Sequence, residues 1–518
     1  MRPLPHAMTC LLLGLVSATG FAPLDLWPVT LTCLAIMLRI SMLAERLRSV
    51  LLSGWLFGVG HFVLGLNWIA TAFTFQANMP AWLGWIAVVL LSLYLAIYPA
   101  LAFLGARLIG GRLPLAQVIA FAGCWVVSEW LRSWVISGFA WNPLGVILVP
   151  PGLAAPSIWI GTYGLGALAA LLAGGLFLLS LRKWRATAIA LGPAAILIVM
   201  AWLVPQSLIA DTGKPRAITI VQPNISQADK WEPGFREENF QRLARETVRK
   251  GDGPRRLIFW PEVAIPDYLE AGYPTRFYPD DEGAAAVRAR LTTLMEPEDI
   301  LITGGIKLGF DDQGQAVTAS NSVFSLDRQG RILGSYDKSH LVPFGEYLPF
   351  EDILSAIGLS RLTQGGIPFA PGPGPRNIPA GDFGTAGLQV CYEIIFSGHV
   401  VDPARRPDFL LNPSNDAWFG AWGPPQHLAQ ARLRAIEEGL PVIRATPTGI
   451  SAVIDSRGRI LHRLGAGKAG HIDADIPVAA RETLFARIGN LISLIFATAM
   501  LMIAVAIRRF GHYGHLHI

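Results

Sequence analysis

The sequence predicts a bundle of membrane-spanning helices joined to a separate α/β domain. Of its 518 residues 52% are hydrophobic, and the mean hydropathy of +0.43 is far above that of a soluble protein of this size. The charged residues are unevenly placed: residues 1–210 hold 13, residues 483–518 hold three, and residues 211–482 hold the other 63. We therefore expect a membrane domain (1–210), a water-exposed domain (211–482), and a last span with a short tail (483–518). A disordered, collagen-like or disulfide-stapled chain is excluded.

Eight apolar segments approach the length of about 20 residues that one spanning helix needs. The first two are short, which leaves open a tilted, a partial or a hairpin arrangement around Pro23 and Pro28. We favour an uncleaved first span over a signal peptide, because more spans follow and no clear cleavage site is present. The predicted spans cover roughly residues 8–22, 26–40, 50–73, 81–106, 114–136, 158–181, 186–206 and 487–507.

Positively charged residues indicate the orientation of these spans, because cytoplasmic loops retain Lys and Arg. The connections 21–27, 74–80 and 137–156 carry only Asp25. This pattern predicts that both termini are cytoplasmic and that the domain 211–482 lies outside the cytoplasm. It also accounts for the net charge of +5 without nucleic acid as a partner. Eleven basic residues fall at every second boundary: Arg2, Arg39, Arg46, Arg48, Arg107, Arg112, Arg182, Lys183, Arg185, Arg508 and Arg509.

Residues 211–482 alternate between strand and helix patterns, which predicts a core sheet covered by helices. Helical patterns occur at 234–250, 283–295 and 426–438. Two hairpins are expected, one from 322–327 to 331–336 and one from 451–455 to 459–463. Buried strands are expected at 217–221, 257–260, 300–303, 388–390 and 409–411.

A Gly- and Pro-rich loop is expected at residues 361–381. Its composition fits a mobile flap over a site, and it fits a passive connector equally well. Both readings stay open.

Three reactive side chains follow or adjoin apolar strands of this domain, where α/β proteins expose their functional groups. They are Glu262, Lys338 and Cys391, and Cys391 is the only cysteine of the domain. Taken singly, they read as a solvated strand end, a surface charge and an inert core thiol. Taken together, they supply a base, a cation and a nucleophile.

These residues stand in motifs that resemble the Glu-Lys-Cys triad of the nitrilase, or carbon–nitrogen hydrolase, superfamily. The motifs are Trp-Pro-Glu at 260–262, Asp-Lys-Ser-His-Leu-Val-Pro-Phe-Gly-Glu at 337–346 and Cys-Tyr-Glu at 391–393. With seven leading spans and one trailing span, nearly the whole chain resembles the membrane-embedded apolipoprotein N-acyltransferases of the bacterial inner membrane. The one departure is Val263, where many members have Thr or Ser. The resemblance implies an αββα sandwich for the domain 211–482.

The resemblance also implies a reaction. Glu262 is expected to take the proton of Cys391, and Lys338 to stabilise the thiolate and the oxyanion that follows. An sn-1 acyl chain of a phospholipid then passes through a thioester to the α-amino group of the diacylglyceryl-cysteine of an apolipoprotein, with ping-pong kinetics. The expected partners are these two lipid substrates and the membrane. A monomer is expected, with no cofactor, no metal site and a catalytic domain in the periplasm.

Six further residues are candidates for supporting roles. By resemblance, Glu346 orients Lys338 or shuttles a proton, and Glu393 supports the active-site loop. Tyr392 and Trp231 resemble positions that hold lipid acceptor or thioester, although a core aromatic and an exposed loop residue at the membrane surface are the plainer readings. Two asparagines, Asn321 and Asn415, either donate hydrogen bonds at the site or serve as caps in turns.

Two other functions compete with acyl transfer. A membrane-anchored amidase or nitrilase would use the same triad with water as the second nucleophile. A transporter or receptor with an inactive sensor domain would require a broken triad, and all three residues are present.

In the fifth span Glu129 and Arg132 share one helix face, so they either pair with each other or contact lipid headgroups.

Overall fold

The computed structural model describes residues 3–75, 80–203, 216–249, 253–278, 282–356, 361–362, 367–402 and 404–510. All eight predicted spans are helical there, and six are long and apolar enough to cross a membrane, one of them the stretch Leu83–Gly110, which two consecutive helices form together. The first two, at 15 and 17 residues, are the shorter ones. The helices of the first domain are α1 (Pro3–Ser17), α2 (Trp27–Leu43), α3 (Leu47–Gly65), α4 (Ile69–Ala72), α5 (Leu83–Leu95), α6 (Ile97–Gly110), α7 (Pro114–Arg132), α8 (Ser157–Ser180) and α9 (Trp184–Leu203).

One predicted span is too long. The expected helix 50–73 ends at Gly65, and the chain turns before the short helix α4. The reason is packing against the second domain: the ring of Trp68 lies 4.8 Å from that of Phe419, far along the chain. The apolar residues after Gly65 therefore form an interface between domains.

Helix α8 lies at the centre of the bundle, with most of its residues buried. Its helical path is interrupted at Gly161, which has a φ of 65° and a ψ of −175°. A Cβ atom at this position would lie 2.2 Å from the ring of Phe485, so only glycine permits this approach. Phe485 belongs to helix α14 (Leu484–Ile488), which leads into the last span, α15 (Leu491–Phe510).

The second domain contains two six-stranded sheets. The strands of the first are β1 (Ala217–Gln222), β2 (Arg256–Phe259), β3 (Ile300–Phe310), β4 (Ala316–Asp327), β5 (Ile332–Asp337) and β12 (Gly470–Asp475), in the order β12-β1-β2-β3-β4-β5. Those of the second are β6 (Asn377–Pro379), β7 (Thr385–Leu388), β8 (Phe409–Pro413), β9 (Val442–Ala445), β10 (Ser451–Ile454) and β11 (Ile460–Leu464), in the order β11-β10-β9-β8-β7-β6. Both predicted hairpins form, as β4–β5 and β10–β11.

The sheets face each other and helices cover their outer sides, which confirms the predicted αββα sandwich. Side chains of both sheets, such as Ile220 and Leu410, share one buried cluster. Helices α10 (Arg236–Thr247) and α11 (Gly283–Thr292) cover the other face of the first sheet. Helix α13 (Gly423–Glu438) covers the second, and the short α12 (Glu351–Ala356) lies in a connection.

Helix α13 also joins the two domains. Its residues Leu428, Ala431 and Ala435 pack against the second sheet. On its other side Leu433 and Ile436 belong to the buried cluster of the membrane bundle. Because the helix is buried on both sides, the α/β domain is docked on the bundle rather than only tethered to it.

One prediction about local structure is wrong, and another is partly described. The expected strand 388–390 is instead the end of β7, which stops at Leu388 so that the chain can turn into the next element. Within the Gly- and Pro-rich segment, the described residues from 367 onward are hydrogen-bonded: the amide of Ala319 donates to Pro368 O (2.9 Å), and that of Ala370 donates to Ala319 O (2.7 Å). This part is a connector between the sheets, whereas residues 363–366 lie outside the described residues.

Candidate active site

The three predicted catalytic residues meet at one end of the sandwich. Glu262 follows β2, Lys338 follows β5 and Cys391 follows β7, and all three side chains are buried. The Nζ of Lys338 lies 3.8 Å from Oε1 of Glu262. Cys391 interacts electrostatically with both of these charged groups. The fold thus brings together a thiol, a carboxylate and an ammonium group that are up to 129 positions apart in the chain.

Lys338 is held between two carboxylates. Its Nζ donates a hydrogen bond to Oε1 of Glu346 at 2.9 Å, in addition to its ion pair with Glu262. Burial by itself lowers the pKa of Lys338, but Glu346 and Glu262 outweigh it, so the net shift of the pKa is upward. The lysine is therefore a fixed positive charge in a buried place.

Asn321, on β4, orients both carboxylates. Its Nδ2 donates to Oε1 of Glu262 at 2.7 Å and to Oε1 of Glu346 at 3.3 Å. The second oxygen of Glu262, Oε2, is buried and has no hydrogen-bond partner within the described part of the chain. That oxygen is placed to accept a proton. Of the two readings for Asn321, the structure shows hydrogen bonding at the site.

Cys391 begins a tight turn, Cys391–Ile395, with a φ of 52°. A positive φ is uncommon for a residue other than glycine and marks backbone held by its surroundings. Burial and the charge of Glu262 raise the pKa of the thiol, while Lys338 and a hydrogen bond from the backbone of Asn415 lower it; the net shift is upward. The thiol is protonated at neutral pH, so its attack on an acyl group requires a base.

Glu393 connects the loops that carry Lys338 and Cys391. Its Oε1 accepts hydrogen bonds from the hydroxyl of Tyr336 (2.8 Å), from the amide and hydroxyl of Ser339 (both 2.7 Å) and from the amide of His340 (3.0 Å). Its Oε2 accepts from the amide of Val390 at 2.7 Å, one residue before the nucleophile. One buried carboxylate thus ties both loops together.

The other three candidates lie around the triad rather than within it. Tyr392 is buried and its hydroxyl donates to Gly138 O of the membrane domain at 3.4 Å. The side chain of Trp231 is 45% exposed. The Nδ2 of Asn415 donates to Oε1 of Gln227 (2.6 Å), and its Oδ1 caps the following turn. The side chain of Asn415 therefore serves the turn, while its backbone reaches Cys391.

Lys230 is a second cation near the triad that the sequence analysis did not single out. Its Nζ donates to the backbone oxygen of Glu262 at 3.1 Å. Burial lowers its pKa to about 8, against the opposing influence of Glu262 and Cys391. It precedes Trp231 in a connection without a strand end, so no pattern in the sequence marked it.

In the membrane bundle Glu129 and Arg132 form the ion pair that their spacing suggested. Oε1 of Glu129 lies 3.8 Å from Nη2 of Arg132, and both side chains are buried. Throughout the described ranges, the structure contains no group of three or more His, Cys, Asp or Glu residues that could hold a metal ion.

Comparisons with known proteins identify a family for each of the two parts of the chain. Residues 217–484 match the carbon–nitrogen hydrolase family, and residues 13–175 match the apolipoprotein N-acyltransferase N-terminal domain. The chain is 35% identical to an apolipoprotein N-acyltransferase of Rhodopseudomonas palustris, over 97% of this chain and 95% of that one. It is 36% identical to one of Allorhizobium ampelinum, over 90% and 87%.

Among solved structures, similar chains include a branch 10 member of the nitrilase superfamily from Saccharomyces cerevisiae. That chain is 20% identical, with 52% of this chain and 93% of that chain covered and a TM-score of 0.36. An amidase from Nesterenkonia sp. is 19% identical, with 52% and 92% covered and a TM-score of 0.34.

Proposed function

The chain belongs to the apolipoprotein N-acyltransferase family, and we propose that it moves the sn-1 acyl chain of a phospholipid to the α-amino group of a diacylglyceryl-cysteine at the N-terminus of an apolipoprotein. The observation that carries this proposal is the buried arrangement of Cys391, Glu262 and Lys338 in a domain docked on a membrane bundle. A thiol in this setting favours transfer through a covalent acyl-enzyme.

In the first half-reaction Cys391 is the nucleophile. Glu262 takes the thiol proton through its unpartnered Oε2 as the sulfur attacks the sn-1 ester carbon. The negative charge that develops on the carbonyl oxygen is stabilised by the ammonium group of Lys338. The bond from carbon to the glycerol oxygen then breaks, and Glu262 returns the proton to that oxygen. The products are a lysophospholipid and a thioester on Cys391.

In the second half-reaction the neutral α-amino group of the acceptor attacks the thioester carbon. Glu262 accepts a proton from the attacking nitrogen, the carbon–sulfur bond breaks, and the proton passes to the departing sulfur. An amide and the free thiol of Cys391 result. Because one base serves both halves and the first product leaves before the acceptor reacts, we expect ping-pong kinetics.

Glu346 and Asn321 serve this chemistry by orientation. Glu346 accepts a hydrogen bond from Nζ of Lys338 at 2.9 Å, and the amide of Val342 fixes Glu346 by donating to its Oε2 at 2.8 Å. Asn321 occupies one oxygen of Glu262 and so leaves the other free for the proton. Trp231 and Tyr392 are assigned to the rim of the site, where lipid acceptor or thioester would lie.

The membrane bundle gives the proposed substrates access without their leaving the lipid. Moving an acyl chain into water costs about 0.8 kcal/mol per CH₂ group. Tryptophans with more than half of their surface exposed suit the membrane–water interface; among the described residues they are Trp82, Trp85, Trp134, Trp184 and Trp202. We assign the chain to the bacterial inner membrane as a monomer, with cytoplasmic termini and a periplasmic catalytic domain.

Acyl transfer is favoured over amide or nitrile hydrolysis by the N-terminal half of the chain. That half matches the N-terminal domain of apolipoprotein N-acyltransferases, and the curated relatives that cover it carry that name. A hydrolase of small amides would have no use for a bundle that faces lipid.

The test uses the purified protein in detergent, a phospholipid radiolabelled in its sn-1 acyl chain, and a diacylglyceryl peptide. We expect the label in an amide of the peptide, with one lysophospholipid formed for each transfer. Cys391→Ser abolishes both products, whereas the control Cys124→Ser, in α7, retains them. Labelled free fatty acid without acylated peptide, or transfer that survives in Cys391→Ser, would contradict the proposal.

A further inference from the structure

A buried polar cluster lies directly behind the nucleophile, and the reaction described above does not use it. It comprises His427 on α13, Asp416 in the turn after β8, Arg444 on β9 and Asn412 on β8, all nearly or completely inaccessible to solvent. Burying four such groups is costly unless they are partnered, so their contacts indicate what they hold in place.

The backbone oxygen of Cys391 is the group they hold. Nε2 of His427 lies 3.0 Å from it, and Nδ2 of Asn412 lies 3.4 Å from it. A carbonyl oxygen can only accept, so Nε2 of His427 carries the proton and donates. His427 and Asn412 thus hold the nucleophile by its own backbone carbonyl. This is the residue whose φ is 52°.

The other ring nitrogen of His427 contacts both a donor and an acceptor. Nδ1 of His427 lies 3.0 Å from Nη2 of Arg444, and a guanidinium can only donate. Oδ1 of Asp416 lies 3.2 Å from the same nitrogen and can only accept, so these two contacts by themselves do not fix the protonation of Nδ1. Burial, together with Arg444, lowers the pKa of His427 to about 4, which agrees with a neutral ring at physiological pH. Arg444 is itself paired with Asp416.

A tryptophan of the membrane domain packs against this imidazole. The ring of Trp141, in the connection after α7, lies 5.2 Å from the ring of His427. Its Nε1 donates to Oε1 of Gln426 at 2.7 Å, on the residue that precedes His427. Trp141 is held in turn by Arg132, whose Nη1 donates to its backbone oxygen at 2.8 Å.

The Glu129–Arg132 ion pair holds the connection that carries Trp141. Oε1 of Glu129 accepts from the amide of Leu144 at 2.7 Å, three residues beyond Trp141. Arg132 therefore holds the backbone of Trp141, and Glu129 holds the backbone of Leu144. Both residues of the connection after α7 are fixed to that helix, so Trp141 is anchored where its ring contacts His427 of the catalytic domain.

We propose that His427 is a positioning residue that holds the backbone of Cys391 for attack, and that Trp141 of the membrane domain keeps His427 in place. Neither side chain touches a substrate. Removing the hydrogen bond to Cys391 O frees the strained turn, and the sulfur spends less time aligned with Glu262 and Lys338. A misplacement of about 1 Å in a reacting group can slow a reaction by about a hundredfold.

The first test compares His427→Phe with His427→Gln. Phenylalanine keeps a ring beneath Trp141 but cannot donate, whereas glutamine supplies an amide donor. The rate at which iodoacetamide alkylates Cys391 is measured by mass spectrometry of its peptide, alongside kcat and KM for acyl transfer. His462→Ala, on the exposed face of β11, is the matched control.

We expect His427→Phe to lower the alkylation rate and kcat at least tenfold with KM within threefold of that of the wild type, and His427→Gln to recover most of the loss. Wild-type alkylation in a folded His427→Phe variant would overturn the proposal. The kinetic readout rests on the proposed function, but alkylation does not. If the wild type transfers no acyl chain while His427→Phe still slows alkylation, acyl transfer fails and the positioning role stands.

The second test concerns Trp141, with His427 left intact. We expect Trp141→Ala to slow alkylation of Cys391 at least fivefold and Trp141→Phe to do so less. In the double variant Trp141→Ala/His427→Phe, the loss should not exceed that of His427→Phe alone, because both changes act through one hydrogen bond. Losses that multiply, or an unchanged rate in Trp141→Ala, would show that Trp141 does not act through His427.

Discussion

At the scale of the residue, the site keeps its nucleophile protonated and its cation charged. Lys338 lies between two carboxylates, and Cys391 is buried beside Glu262. In the proposed mechanism this thiol stays inert until a substrate is bound and Glu262 removes its proton. This arrangement protects the thiol from side reactions, since thiolates are the form that is oxidised and alkylated.

The raised pKa of Cys391 predicts a pH profile. A group whose pKa lies above its usual value stays protonated as the pH rises through neutrality, so alkylation of the substrate-free protein by iodoacetamide should keep increasing beyond about pH 9 without a plateau. Glu262→Gln removes the negative charge that helps to raise this pKa, so the increase in alkylation with pH should begin at a lower pH in this variant than in the wild type. A plateau at or below pH 8 in the wild type would indicate a preformed thiolate and contradict this view.

The sequence alone predicted the triad because each member adjoins a strand in a recognisable motif. The cluster around His427 was not predictable in the same way. His427 lies 36 positions after Cys391 on a helix whose pattern shows only that one face is apolar, and only the packed fold shows what its other face contacts. Its partner Trp141 is 286 positions away, in a different domain.

At the scale of the element, helix α13 packs against both the second sheet of the catalytic domain and the membrane bundle. Its predicted range, 426–438, is close to the observed one, and the surface it covers on the second sheet follows from its apolar residues. Its burial against α8 did not follow from its pattern, because the contacts there are partly polar. Oε1 of Glu437 accepts from the hydroxyls of Thr162 (2.6 Å) and Ser397 (2.9 Å), and its Oε2 lies 2.9 Å from Nε of Arg434.

We predict that this buried pair stabilises the docked arrangement only while both partners are present. Glu437→Leu leaves Arg434 buried without its ion-pair partner and should lower the free energy of unfolding by about 3–5 kcal/mol. The double variant Glu437→Leu/Arg434→Met should lose much less. Thermal unfolding in one detergent measures both, with Glu482→Leu, near the exposed surface, as the control. Equal losses in the single and double variants would show that the pair is not coupled.

At the scale of the whole molecule, two domains of very different composition share one buried interface. The charge distribution predicted the division and the spans, but the boundary near residue 210 lies outside the described residues. The third predicted span was too long because the apolar residues after Gly65 pack against the catalytic domain. Hydropathy does not distinguish a side chain buried against protein from one that faces lipid. The orientation in the membrane stays a prediction.

That orientation is testable with single cysteines. Gln313→Cys lies in the exposed turn between β3 and β4, and Arg185→Cys lies at the start of α9 on the expected cytoplasmic side. In intact spheroplasts a membrane-impermeant maleimide should label the first variant and not the second, and disruption of the membrane should expose both. Labelling of only Arg185→Cys before disruption would reverse the topology.

The most direct test of the proposed mechanism is isolation of the acyl-enzyme. Protein mixed with a phospholipid and no acceptor should gain the mass of one acyl chain on the peptide that carries Cys391, and hydroxylamine should remove it. Adding a diacylglyceryl peptide should move that acyl chain to the peptide's amine in a single turnover. An adduct on another residue, or a Cys391 adduct that is released only to water, would contradict transfer through a Cys391 thioester.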